Sequence, residues 1–159
     1  MGSKSDFENA LKPIFTGVFG EHVVLDSFRR LSGGASQETW LLSGGGETAI
    51  LRRAPGGTSK ARSSAAIGLP AEAALIQAAQ SRGVPVPEVL KVLESRDDLG
   101  DGFLMRHVAG ETIARPILRN DEFATARSVL AAQCGKALAD IHAIPLEGLP
   151  EALELSDGL

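Results

Sequence analysis

Four short stretches of this sequence carry residue types that do chemistry when brought together. The run LSGGASQETW at 31–40 holds Ser32, Gly33, Gly34, Ala35, Ser36 and Gln37. In such a small-residue turn glycine lets backbone approach an anion closely, and Ser36 adds a hydroxyl donor. Arg52 stands near the end of the apolar run TAILRR at 48–53 and supplies a permanent cation. Glu72 is the only carboxylate between Glu47 and Glu88, in a stretch that carries Arg52, Arg53, Lys60, Arg62 and Arg82. An acid so isolated among bases suggests a pair partner. The fourth stretch, FLMRHV at 103–108, is an apolar strand whose Met105 can line a pocket while the backbone near Arg106, His107 and Val108 offers hydrogen bonds. A nucleoside triphosphate needs these four things: a turn over its phosphates, a cation on a rigid strand, an anion to orient that cation, and strand backbone to read its base.

Each stretch also has a plainer reading. Ser-Gly-Gly is a common hairpin turn, Arg52 also reads as a solvated edge residue, Glu72 as a first-turn contact with a helix dipole, and Gly110 as the end of an ordinary strand. Arg53 rivals Arg52 for the cation, because one step along a strand reverses the face.

The elements that must position these residues follow from periodicity. Phe7, Leu11, Phe15 and Val18 recur at helical spacing and predict an amphipathic helix over about 6–19, carrying Pro13 and ended by Gly20. Between Val23 and Glu47, short apolar runs punctuated by Gly-rich turns read as antiparallel hairpins, with a third strand at 48–53. Residues 55–68 read as a mobile loop. Pro70 and Gly83 bracket a helix with Leu75, Ile76 and Ala79 inside, and VPVP at 84–87 forces extended chain into a strand near 89–94. A turn over 96–102 leads to a last strand at 103–108. Asp121 then caps a long helix whose Phe123, Leu130, Cys134, Leu138 and Ile141 keep near a seven-residue repeat, placing Cys134 on the inward side as an inert thiol. The fold class is α+β: an antiparallel five-stranded sheet with one inserted helix, the layout of a protein-kinase-like N-terminal lobe. Residues 1–20 form the leading helix, 21–108 the lobe, and 109–159 a hinge, a linker and the first helix of a large lobe.

Composition excludes other classes. A net charge of -4 with scattered basic residues gives no footprint for nucleic acid or an anionic membrane. One cysteine forms no internal disulfide and no zinc site, which suits a reducing, cytoplasmic setting. No signal-peptide or membrane-spanning run is expected, and Gly2 lacks the Ser or Thr at position 6 that a myristoylation motif wants. A dinucleotide-binding turn would join a strand to a helix, whereas these glycines join two strands.

Taken together, LSGGASQETW, ILRRAP at 50–55, RGVPVPEVL at 82–90, FLMRHVAGE at 103–111 and ALADIHAIPL at 137–146 resemble the aminoglycoside phosphotransferase family. The version with Leu-Arg-Arg is similar to bacterial proteins related to the kinase domains fused to acyl-CoA dehydrogenases. The resemblance implies ATP or GTP with Mg2+ as cofactor and a small-molecule hydroxyl as phosphate acceptor. It puts Ser32, Gly33, Gly34, Ala35, Ser36 and Gln37 over the phosphates, Arg52 in the place of the strand lysine, Glu72 as its helix partner, and Met105, Arg106, His107 and Val108 at the hinge.

The family also places a His-Gly-Asp segment, and then an Asp-bearing metal motif, in its large lobe. Here His22, His107 and His142 are not followed by Gly-Asp. The expectation is a nucleotide-holding lobe of a kinase roughly twice as long, without catalytic or metal-binding residues of its own. Its last helix would then be left uncovered and open to self-association. The competing expectation is a non-catalytic nucleotide- or protein-binding regulatory module on the same fold.

Overall fold

A computed structural model describes residues 4–31, 37–54, 67–145, 147 and 149. The chain starts with α1 (Lys4–Phe19), which buries Leu11, Ile14 and Phe15 and keeps Pro13 on its solvent side. A proline there gives up one helical hydrogen bond without disturbing the packed stripe. Gly20, at φ 107, ends the helix.

Three strands follow in hairpin order: β1 (Ser27–Arg30), β2 (Glu38–Gly44) and β3 (Glu47–Arg53). Gly45 and Gly46 make the two-residue turn between β2 and β3, with φ of 56 and 85, the left-handed pair that matches strand twist. Gly44 is required for a different reason. A Cβ on it would lie 1.9 Å from the carbonyl oxygen of Val24, so backbone passes where any side chain would stand.

Next, α2 (Leu69–Ser81) crosses over, with proline in its first turn and Gly83, at φ 77, donating to the Gln80 carbonyl beyond its end. The helix buries Leu69, Ala71, Ala73 and Ala79. The chain then forms the edge strand β4 (Val89–Val92) and returns as β5 (Gly102–Arg106) between β3 and β4. The order β1-β2-β3-β5-β4, all antiparallel, is the five-stranded α+β sheet with one inserted helix that the sequence predicts.

The sheet divides the core into two. On its outer face α1 packs Leu11, Ile14 and Phe15 against Leu42, Ala49, Leu51 and Leu104. On its inner face α2 packs Leu69 and Ala73 against Ala54 and Phe103, with Ile76 and Met105 beside them.

Three expectations are corrected downstream. A short helix, α3 (Ala114–Arg119), precedes the long one, in the stretch expected to be hinge and linker. The long helix α4 (Ala124–His142) is entered through a 3-10 turn at Asp121–Phe123, and Asp121 makes no side-chain cap. Cys134 is exposed rather than inward. The α4 helix has no buried residue among those described, and Val129, Leu130, Leu138 and Ile141 stand in the open. The loop expected over 55–68 lies largely outside the described residues. No described helix is long and apolar enough to cross a membrane.

Two outcomes test this packing. Gly44→Ala should destabilise the chain by about 3 kcal/mol or more, read as a fall in the urea midpoint, because neither Val24 nor the strand can yield without breaking the hairpin. Cys134 should react with a thiol reagent in native buffer at close to its rate in denaturant; strong protection would mean that α4 is covered.

Candidate functional site

The site grows from the alternation of side chains along β3. Ile50, Arg52 and Ala54 project from the inner face, while Ala49, Leu51 and Arg53 project from the outer one. Arg52 therefore meets the crossover helix. Glu72 lies in the first turn of α2, its N–H donating to the Gly68 carbonyl at 3.0 Å, and this sets its carboxylate over the end of β3. Arg52 Nε lies 3.0 Å from Glu72 Oε1, with the two side chains 37% and 23% exposed. Arg52 Nε is nonetheless buried without a hydrogen-bond partner, because its N–H does not point at the carboxylate. The pair is held by charge at contact distance and leaves a donor unspent.

Gln37 begins the return from the small-residue turn, and its Oε1 is the other buried side-chain atom left without a partner among the described residues. Buried polar atoms are normally satisfied, so two orphans, an acceptor and a charged donor, ask for a third group. Ser32, Gly33, Gly34, Ala35 and Ser36 lie outside the described residues.

Beside Arg52 the register lines up Leu41, Ile50 and Met105 across β2, β3 and β5, one apolar side chain from each strand on the inner face. Where β5 leaves the sheet, Arg106 N–H donates to the Glu88 carbonyl at 2.8 Å and His107 N–H to the Thr48 carbonyl at 3.4 Å. Both donors are thus used by the sheet, and Val108, exposed, has no backbone acceptor among the described residues. His107 also sets Nδ1 3.4 Å from Thr48 Oγ1. The Arg106 side chain turns to the outer face. There a hydrogen bond to Glu88 at 2.9 Å, with the nearby charges of Glu88 and Glu47, raises the guanidinium above its already high ordinary range, and Phe19 lies against it.

Sequence reasoning missed what holds Arg53. Its Nε donates to Glu38 Oε2 at 2.9 Å, its Nη1 to the Leu99 carbonyl at 3.2 Å, and its guanidinium sits 4.6 Å over the Phe7 ring. Arg53 and Glu38 are only 11% and 12% exposed. Arg53 is thereby committed to the outer face, and Arg52 alone of the two reaches Glu72. A groove of about 1730 Å³ also lies on that outer face, lined among others by Phe7, Trp40, Glu38, Arg53 and Lys91, and it includes neither Arg52 nor Glu72.

The two arginines should respond differently to removal. Arg53→Ala should cost about 2–4 kcal/mol, because it leaves Glu38 nearly buried with its best partner gone. Arg52→Ala should cost under about 1 kcal/mol, since its pair is open to solvent screening. Chemical denaturation of both variants measures the difference, and equal losses would contradict this division.

No curated protein and no solved structure matches the chain. The sequence profile of the phosphotransferase enzyme family, APH, matches residues 27–158. That stretch takes in the sheet, the crossover helix carrying Glu72, and α4, and on this match the chain belongs to the phosphotransferase enzyme family.

Proposed function

We propose that this chain is the nucleotide-holding small lobe of a kinase that passes the terminal phosphate of ATP or GTP to a hydroxyl of a small molecule. The observation that carries the reading is the Arg52–Glu72 pair on the inner face, whose guanidinium Nε is buried without a hydrogen-bond partner. In this reading Arg52 neutralises phosphate oxygens and Glu72 orients it. The turn of Ser32, Gly33, Gly34, Ala35, Ser36 and Gln37 covers them. Leu41, Ile50 and Met105 offer an apolar floor to the base, and the backbone at Arg106, His107 and Val108 its edge contacts. Because the sheet uses the Arg106 and His107 donors, Val108 N–H is the donor assigned to the base.

Mg2+ supplies charge neutralisation at the transferred group. Among the described residues no cluster of three His, Cys, Asp or Glu is placed to hold it. The reading assigns its ligands, and the base that accepts the acceptor's proton, to a large helical lobe beginning with residues 109–159. The uncovered apolar residues of α4 then belong to that lobe's interior and are free to drive self-association without it. The run ILRRAP at 50–55 favours the subgroup related to kinase domains fused to acyl-CoA dehydrogenases, and the lone cysteine a reducing, cytoplasmic setting.

Calorimetric titration with ADP and with adenosine tests the reading. ADP should bind weakly, since an open half-site leaves it hydrated, and Arg52→Ala should weaken ADP about tenfold or more while leaving adenosine unchanged. ATP with a panel of hydroxylated acceptors should give no turnover. Absence of ADP binding would sink the nucleotide reading, and turnover abolished by Arg52→Ala would place the catalytic machinery within this chain.

A further inference from the structure

Where α2 lies decides which side of Arg52 is open. The helix packs over β4 and β5 through Leu69, Ala73 and Ile76, so Glu72 reaches Arg52 from the β5 side of β3. On the other side of β3 runs β2, and the residue directly opposite Arg52 there is Thr39. Its neighbours Glu38 and Trp40 belong to the outer face with Arg53 and Phe7, so Thr39 projects from the inner one.

Register makes this pair a close one. Gly44 and Glu47 close the two-residue turn as a hydrogen-bonded pair, and every second pair inward is non-hydrogen-bonded, Thr39 with Arg52 among them. The Thr39 carbonyl agrees with that count, since it turns to β1 and accepts from Leu31 N–H at 2.8 Å. Side chains stand closest in such pairs, with Cα atoms ~4.5 Å apart. Thr39 is half-buried, and its hydroxyl makes no hydrogen bond among the described residues.

From this we infer that Thr39 Oγ1 is a further binding group of the inner-face site, gripping with Arg52 the same phosphate oxygens of the nucleotide on the side of Arg52 away from Glu72. The electrostatics favour that side. Glu72 offsets the charge of Arg52 and repels an anion approaching along its own flank. A neutral hydroxyl on the opposite flank adds a donor to the anion and draws it away from the carboxylate. Threonine serves the strand as well, because its branched side chain suits the pleated surface of β2.

This role rests on the nucleotide reading, and calorimetric titration of ADP and adenosine separates the two. Thr39→Val keeps the shape and removes the hydroxyl; it should weaken ADP about fivefold or more and leave adenosine within about twofold. Thr39→Ser restores the donor and should hold ADP within about twofold of the wild-type chain. The urea midpoint of Thr39→Val should stay at the wild-type value, which a merely structural role would not allow, and Thr39→Ala reads the same contact if the valine variant fails to fold. Combined with Arg52→Ala, the loss should fall short of the sum of the single losses, as expected of two groups on the same oxygens. A wild-type chain that binds ADP while the valine and alanine variants match it overturns the role of Thr39 alone, and strictly additive losses overturn the shared grip. A wild-type chain that binds no ADP overturns the nucleotide reading, and the role of Thr39 falls with it.

Discussion

Adjacent side chains on a pleated strand project from opposite faces, so Arg52 and Arg53 are bound to serve different purposes. Two neighbouring cations near the middle of a domain demand a counter-charge on each side of the sheet, since an unpaired, nearly buried guanidinium costs several kcal/mol. The chain meets that demand with two carboxylates from different elements. Glu38, reached across the β2–β3 hairpin, takes Arg53 into the outer core. Glu72, brought by the crossover helix, takes Arg52 on the inner face, where the pair stays partly open. The difference in exposure separates the two: one pair is nearly buried, and the other stays partly open to solvent.

The faces diverge accordingly. The outer face holds a groove, but its charges are matched: Arg53 with Glu38, Arg106 with Glu88 and Glu47, and Lys91 with Asp97. On the inner face Arg52 Nε is buried without a hydrogen-bond partner. For locating a binding site the second kind of observation weighs more. A groove can be filled by water at little cost, whereas a buried donor or acceptor without a partner is destabilising until something supplies one.

Much of this was legible in the sequence, for reasons that can be traced to particular residues. The Gly45-Gly46 turn, Pro70, Gly83 and the VPVP run are local signals, and the elements they bound stand where those residues require. The isolation of Glu72 among bases pointed to its partner because few other acids were near enough to compete. The Glu38–Arg53 tie was missed although it was countable: working outward from the two-residue turn, Glu38 falls opposite Arg53 and Thr39 opposite Arg52. Register, once the turn is known, decides which arginine faces which way, and composition alone does not. The burial of Cys134 failed for the opposite reason. Periodicity tells that a helix has an apolar side, but whether that side is covered depends on another element, and none of the described residues supplies it.

That last helix shows how local and tertiary forces separate. α4 is rich in alanine and carries a Lys136–Asp140 pair one turn apart, both of which favour a helix without any core. Its attachment is polar as well: Arg127 Nη1 donates to the carbonyls of Ile117 at 2.8 Å and Asn120 at 2.7 Å, answering acceptors left over at the end of α3. Helices of this length are marginal in water when they stand on propensity alone. The exposed side chains of Val129, Leu130, Leu138 and Ile141 therefore add nothing to the helix through burial among the described residues. The sheet, by contrast, buries its apolar residues against α1 and α2, the elements that bring Arg52 and Glu72 into contact being β3 and α2. The ion pair is thus built by the sheet and α2, whose buried clusters include no residue of α4.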